Sequence, residues 1–252
     1  MKLLSLDVGV KNLAYCLYDS SLNDITDWKV INLCENDIIK CCECTNKAKY
    51  CKNNKHWCLK HGKKTKYLIP TKNDNLKKIN KMKLQDLKHL AKEKGIVNEE
   101  KILKAHLLEK IINYNNENIL ETIKDKTTSE FTLIELGKRL MYHFDMLFKD
   151  KEIDIVLIEN QISPIANRMK TIQGMITQYF IMNNIDNIEY ISSINKLKNF
   201  NVQKSTYNER KKSGIEVTRT LVKGKWIEYF KTHSKKDDLA DSFLQVYWFI
   251  NK

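Results

Sequence analysis

Two apolar runs in this chain end in a carboxylate, and that pattern restricts the fold more than any other feature. Lys2-Leu3-Leu4-Ser5-Leu6-Asp7 reads as a short buried strand, and Ile153 to Glu159 as a near-continuous apolar run of the kind found in a central strand. Gly9 permits a tight turn directly after the first run. Leu13 to Tyr18 and Trp28 to Leu33 are further apolar runs, so a three-strand meander is expected to open the chain. Strands buried on both faces need helices to cover them. Thr132-Leu133-Ile134-Glu135 has the form of a capping box, and the apolar spacing after it predicts a helix to Phe148, with Gly137 as a weak point inside it. Further helices are expected over Met169 to Met182, Ile215 to Thr232 and Asp237 to Phe249, with a short strand at Ile188 to Ile191. Strands first, then strand and helix alternating, predict an α/β fold with a mixed sheet flanked by helices.

The stretch between the meander and the capping box departs from this pattern and reads as an insertion. The expected division is a core of residues 1–38 and 127–252, a basic knuckle over 39–80, and a helical hairpin over 81–126. All seven cysteines lie in the first 58 residues. Cys41-x-x-Cys44 is followed, after thirteen residues, by Cys58-x-x-His61. Paired knuckles at this separation have the spacing of a structural zinc site, and soft thiolates with an imidazole suit tetrahedral Zn²⁺. Cys42, Cys51 and His56 are additional candidate ligands. Tyr50, Trp57 and Tyr67 are expected to pack the small core around that site, with base stacking as the other use of such rings. Leu84 to Lys94 and Glu100 to Asn113 follow as helix patterns separated by Gly95-Ile96. They read equally as an ordinary hairpin and as a SAP-type DNA-binding hairpin.

Charge is distributed as unevenly as cysteine. The formal net charge is +13, and Lys40 to Asn80 holds 12 lysines against two acids, a surplus of +10 in that stretch alone. A separable basic segment is the electrostatic footprint of a partner with phosphates, so nucleic acid is the expected ligand. No apolar run reaches the roughly 18 residues a membrane span needs, and no leader pattern precedes the first strand. Clustered reduced cysteines fit an intracellular, reducing compartment.

The acids carry the chemistry. Lys235-Lys236-Asp237-Asp238-Leu239-Ala240-Asp241 opens the last helix, and Asp238 and Asp241, three apart, share one helix face. Asp237 is the alternative to Asp238. Asp7 and Glu159 at strand ends together with this pair would bring four carboxylates into repulsion, which hard divalent cations such as Mg²⁺ relieve. Two such ions can steady both the attacking and the leaving oxygen of a phosphodiester. Lys204, Arg210, Lys211 and Lys212 form a basic segment expected beside the acids, as phosphate contacts or as a solvated basic loop.

The same residues resemble a known family. Leu6-Asp7-Val8-Gly9-Val10-Lys11-Asn12 resembles the first motif of the RuvC-like Holliday junction resolvases of poxviruses and other large DNA viruses. Ile158-Glu159-Asn160-Gln161 resembles the second, and Thr206 to Lys212 the basic motif. Lys236 to Phe243 resembles the terminal metal-binding helix, and Asn167 to Met175 the helix after the second motif. The match covers about residues 1–35 and 130–250, in the family's order. It implies an RNase H-like fold, a homodimer, and paired symmetric nicks in four-way DNA junctions by in-line attack of a metal-activated water. The implied Mg²⁺ ligands are Asp7, Glu159, Asp238 and Asp241, with two ions expected. It also implies a viral source and action in the host cytoplasm or a viral factory, although related resolvases serve mitochondria and a nucleus fits as well. The zinc-bearing insertion departs from the poxvirus pattern. Transposon-encoded RNA-guided nucleases carry their zinc unit between the second and third acidic motifs; here it falls between Asp7 and Glu159, which argues against that relationship. Two other classes fit these residues: an RNase H-like nuclease for RNA–DNA hybrids or flaps, and a non-catalytic zinc-containing DNA-binding protein.

Overall fold

A computed structural model describes residues 1–96, 101–161, 167–198, 200 and 206–252. In chain order, β1 (Lys2–Asp7), β2 (Asn12–Asp19) and β3 (Asp24–Asn32) form the expected meander. Next come β4 (Tyr50–Lys52), β5 (Lys55–Trp57), α1 (Leu59–Gly62), α2 (Leu76–Ile79), α3 (Leu84–Glu93), α4 (Lys104–Asn118) and β6 (Glu121–Thr122). The chain ends with α5 (Leu133–Phe148), β7 (Ile155–Glu159), α6 (Asn167–Met182), β8 (Ile188–Ile191), α7 (Tyr207–Leu221), α8 (Lys225–Thr232) and α9 (Lys236–Ile250). These elements divide into two compact units, Met1–Glu35 with Lys126–Lys252, and Asn36–Asp125.

The first unit holds a five-stranded mixed sheet in the order β3-β2-β1-β7-β8. β1 pairs antiparallel with β2 and parallel with β7, with Leu6 opposite Ile158. This register makes Asp7 and Glu159 end neighbouring strands on the same edge of the sheet. β1 is buried on both faces. Leu4 and Leu6 join a core with Phe144 of α5 and Phe180 of α6, while Leu3 joins a second core with Trp226 of α8 and Leu244 of α9. The expected mixed sheet flanked by helices is therefore present.

Local chemistry explains the helices that matter for the site. The Thr132 hydroxyl accepts from the Glu135 amide, and the Glu135 carboxylate accepts from Thr132, so α5 starts at its capping box. Gly137 lies where α5 meets α6. A Cβ there would sit 3.3 Å from Met175 Sδ, so the missing side chain admits Met175. Ile172 and Ile176 of α6 are fully buried, which makes that helix face a packing face.

The region expected as one helix over Ile215 to Thr232 is two helices. α7 ends at Leu221, where Val222 turns extended, and Gly224, at φ +54°, stands at the N-cap of α8 and re-aims the chain into it. Further upstream, Thr206 and Glu209 form another capping box, which starts α7 at Tyr207. Arg210, Lys211 and Lys212 are consequently helical rather than in a loop. The second hairpin helix also begins later than expected, at Lys104, and runs further, to Asn118.

Trp28 locks the second core. Its indole Nε1 donates to the Leu239 carbonyl and to Ser242 Oγ, both at 3.1 Å. Its ring stacks on Phe230 at 5.3 Å and meets Trp226 edge-on at 6.2 Å. One side chain of β3 thus ties down both α8 and the start of α9. Trp28→Ala should destabilise this unit by about 3–5 kcal/mol. A denaturant midpoint within error of wild type would show that α9 is held by other contacts.

The second unit contains a small sheet in the order β5-β4-β6. Asn53 and Asn54, both at positive φ, make its two-residue hairpin turn. Trp57, Leu120, Tyr50 and Tyr67 pack against Cys41 and Cys58, as expected of those rings. α3 and α4 close a separate core around Leu87, Leu90, Leu107 and Ile111. Lys52 is buried and donates to the carbonyls of Asn116 and Ile119, placing a cation at the carbonyl end of α4.

Candidate active site and metal centre

Asp7, Glu159, Asp238 and Asp241 line one open cavity of about 470 Å³. Adjacent strands deliver the first two, and the first two turns of α9 deliver the others. Gly9 is required just beyond Asp7: a Cβ there would lie 2.1 Å from the Asn12 carbonyl oxygen, so no side chain fits that turn. Gln161 donates to Glu159 Oε2 at 3.3 Å, and its own amide donates to Gln173 Oε1 at 2.9 Å. α6 thereby helps orient the Glu159 carboxylate.

A lysine that the sequence reading did not single out sits among these acids. Lys196 belongs to the 3-10 turn Ser193–Leu197, just after β8. Its Nζ lies 3.2 Å from Asp7 Oδ1, 3.2 Å from Glu159 Oε1 and 3.4 Å from Asp241 Oδ2, and the residue is only 4% exposed. Burial alone favours the neutral amine, but Asp7, Asp241 and Glu159 outweigh it and hold the ammonium above its ordinary range. The one hint in the sequence is position, since Lys196 closely follows the short strand β8 on the sheet edge where β7 ends.

One lysine does not neutralise four carboxylates. Burial pushes the Asp7 carboxyl up to about 7, with Lys196 opposing and Glu159 adding repulsion. Burial and the neighbouring Asp237 and Asp7 raise Asp238 to about 6. Asp241 is also raised, again chiefly by burial. Among the described residues, Asp238 Oδ2 is buried with no hydrogen-bond partner. An orphaned carboxylate oxygen, an all-oxygen donor set and excess negative charge together fit a hard divalent cation.

The basic side of the cavity comes from α7. Arg210 and Lys211 line it, whereas Lys212 is exposed and does not. Lys204 lies outside the described residues. Lys211 Nζ is 2.6 Å from Asp237 Oδ2, so Asp237 pairs with the basic helix while Asp238 faces the cavity. Tyr207, also unanticipated, stands at the rim.

In the second unit, Cys41, Cys44, Cys58 and His61 converge, with all four ligand atoms within 4.8 Å of one another. Cys44 Sγ is 3.8 Å from Cys58 Sγ, and His61 Nδ1 is 3.4 Å from Cys41 Sγ and 3.6 Å from Cys58 Sγ. A tetrahedral zinc, with bonds of about 2.3 Å to sulfur and about 2.0 Å to nitrogen, spaces its ligand atoms by about 3.8 Å (S···S) and about 3.5 Å (S···N). This cluster could hold a metal such as zinc. Although desolvation opposes ionisation, the amides of Cys58 and Glu43 and the His61 ring draw the Cys41 thiol down to about 6, toward the ligating thiolate. Of the spare candidates, Cys42 is exposed, and Cys51 and His56 pair across β4 and β5.

A family model described as Poxvirus A22 protein matches residues 109–252, more than half of the chain. The uncharacterized protein L451 of Acanthamoeba polyphaga mimivirus is 28% identical over 311 residues, an alignment covering 99% of this chain and 74% of that protein. The crystal structure of the yeast mitochondrial Holliday junction resolvase Ydc2 aligns with a TM-score of 0.44 and 14% identity, covering 98% of this chain and 78% of that one. Among the described residues, no helix is long and apolar enough to cross a membrane.

Proposed function

Since this chain belongs to the poxvirus A22 protein family, the viral Holliday junction resolvases, we propose that it is a divalent-metal-dependent endonuclease that nicks four-way DNA junctions in symmetric pairs. The observation that carries this reading is the convergence of Asp7, Glu159, Asp238 and Asp241 on one cavity around Lys196. The strand order and the mix of parallel and antiparallel pairs support an RNase H-like core. Asp7, Glu159, Asp238 and Asp241 would hold Mg²⁺, two ions by preference. When bound, these ions supply Lewis acidity toward the phosphodiester and the attacking water. Lys196 keeps a fixed positive charge at the cavity floor, where negative charge grows during cleavage. Arg210 and Lys211 meet the phosphate backbone, with Lys204 and Lys212 in the same basic segment. Two cuts related by symmetry require two such cavities, so the working unit is a homodimer. Zinc is the ion we assign to Cys41, Cys44, Cys58 and His61, and the lysine-rich segment around it would face DNA phosphates.

The direct test is incubation of purified protein with a labelled four-way junction, matched duplex, flap and RNA–DNA hybrid, with and without Mg²⁺. Paired nicks in the junction alone, dependent on Mg²⁺, are the expected result. Cutting of the hybrid or flap instead would keep the metal site and change the substrate. Binding without cutting of any substrate would leave a DNA-binding protein.

The acid cluster also predicts a pH signature. Asp7 and Asp238 have raised values in the fold, so they bind protons more tightly there than in the unfolded chain. Their contribution to stability is full below the ordinary carboxylate value of 3.8 and is lost as pH rises through about 6 and about 7. Mg²⁺ binds the deprotonated carboxylates and should restore what is lost. Thermal melts should therefore show a larger Mg²⁺-induced rise in Tm near pH 8 than near pH 5.5. An equal rise at both would separate Mg²⁺ binding from these two acids.

A further inference from the structure

We propose that Tyr207 forms a stacking subsite for an unpaired nucleobase beside the phosphodiester that is cut, a proposal that rests on reading the acid cavity as a DNA-cleavage site. Tyr207 lines that cavity and yet is 63% exposed. Tyr207, Lys211, Gly214 and Thr218 share one stripe of α7. Gly214 and Thr218 are its buried members, and a Cβ at Gly214 would lie 3.6 Å from Leu244 of α9. The stripe that seats α7 on α9 therefore emerges from the core at the cavity, with Tyr207 at its tip.

The ring is mounted. Lys211 Nζ lies 5.3 Å from its centroid, within cation–π reach, and is held 2.6 Å from Asp237 Oδ2. The Thr206–Glu209 capping box fixes the backbone on which the ring stands. An exposed aromatic surface at the rim of a phosphate-cleaving cavity fits the π-face of a base. Arg210 and Lys211 attract DNA through its phosphates, contacts that read no base. A base inside a duplex is stacked on both sides and must be unstacked before it can reach Tyr207. In the open form of a four-way junction the pair at the branch point lacks a stacking neighbour on one side, so its base is freed more easily. Tyr207 would therefore favour branched over continuous DNA through binding rather than through the cleavage step.

The experiment uses the full chain and a four-way junction carrying 2-aminopurine next to the cleaved position. Wild type is compared with Tyr207→Phe, Tyr207→Trp and Tyr207→Leu, after melts confirm that each is folded. Wild type and the two aromatic variants should quench the fluorophore on binding and cut with similar KM. Tyr207→Leu should lose the quenching and raise the junction KM by about tenfold, with kcat and duplex affinity little changed. Leu behaving as wild type in both readouts, while wild type cuts normally, would overturn the subsite and leave the nuclease reading standing. A loss confined to kcat would also overturn it, making Tyr207 part of the mounting of Lys211. Failure of wild type to cut the junction would overturn both.

Discussion

Asp7→Asn should leave the four-way junction bound and essentially uncut, with single-turnover cleavage reduced by at least about a thousandfold, or ~4 kcal/mol of barrier. The substitution preserves shape. Asn can still accept from Lys196 through its carbonyl oxygen, and β1 keeps its pairing with β2 and β7. What disappears is one negative charge from a set of four carboxylates facing a single ammonium. A hard cation recruited by that excess charge loses a buried anionic ligand. Binding depends on phosphate contacts from the basic segment and should persist in a band-shift assay. Lys196→Met is the informative companion. It leaves Asp7, Glu159 and Asp241 without their shared counter-charge, and breaking a buried ion pair from one side costs about 3–5 kcal/mol. The metal-free variant should therefore melt earlier, and Mg²⁺ should recover part of the loss. Cleavage by Asp7→Asn within tenfold of wild type would remove Asp7 from the metal-holding set.

Loss of the Cys41–Cys44–Cys58–His61 centre should unfold the small sheet beside it and spare the five-stranded one. The small sheet β5-β4-β6 is short, and the hydrophobic cluster beside it includes Cys41 and Cys58 themselves. So small a core needs a staple, and structural zinc contributes about 10–16 kcal/mol of apparent folding energy in comparable sites. None of the four ligands lies in Met1–Glu35 or Lys126–Lys252, the unit that carries the five-stranded sheet. Purified protein should contain about one zinc per chain. In Cys58→Ser, or after stripping with a strong chelator, hydrogen exchange should accelerate across β4, β5 and β6 while β1 and β7 stay protected. Normal protection in Cys58→Ser with no bound metal would make these residues reduced packing cysteines.

The two sites were legible in the sequence to different degrees. The cysteine cluster was readable from spacing, because two close pairs across a short loop leave little freedom about which atoms can meet. The structure brings together the four residues that the spacing pointed to, and leaves Cys42, Cys51 and His56 outside the cluster. Asp7 and Glu159 were readable as acids at the ends of apolar strands, and their juxtaposition follows from the parallel pairing of β1 with β7. The boundary between α7 and α8 was missed because apolar periodicity runs through Gly224, whose positive φ shows only in the folded backbone. The helical start at Tyr207 could have been found, since Thr206 and Glu209 have the same capping-box spacing that marked α5.

The sequence by itself determined the local elements and the kinds of chemistry available. Strand runs, capping boxes, knuckle spacing and the uneven lysine distribution all act over a few residues, where steric and hydrogen-bonding rules are strict. The tertiary structure alone decided that Lys196 stands among Asp7, Glu159 and Asp241, that Asp237 turns to Lys211 while Asp238 faces the cavity, and that Tyr207 reaches its rim. Those placements depend on β8 pairing beside β7 and on α7 packing against α9. Contacts of that kind join residues far apart in the chain, and no local pattern encodes which of many lysines will be buried among acids.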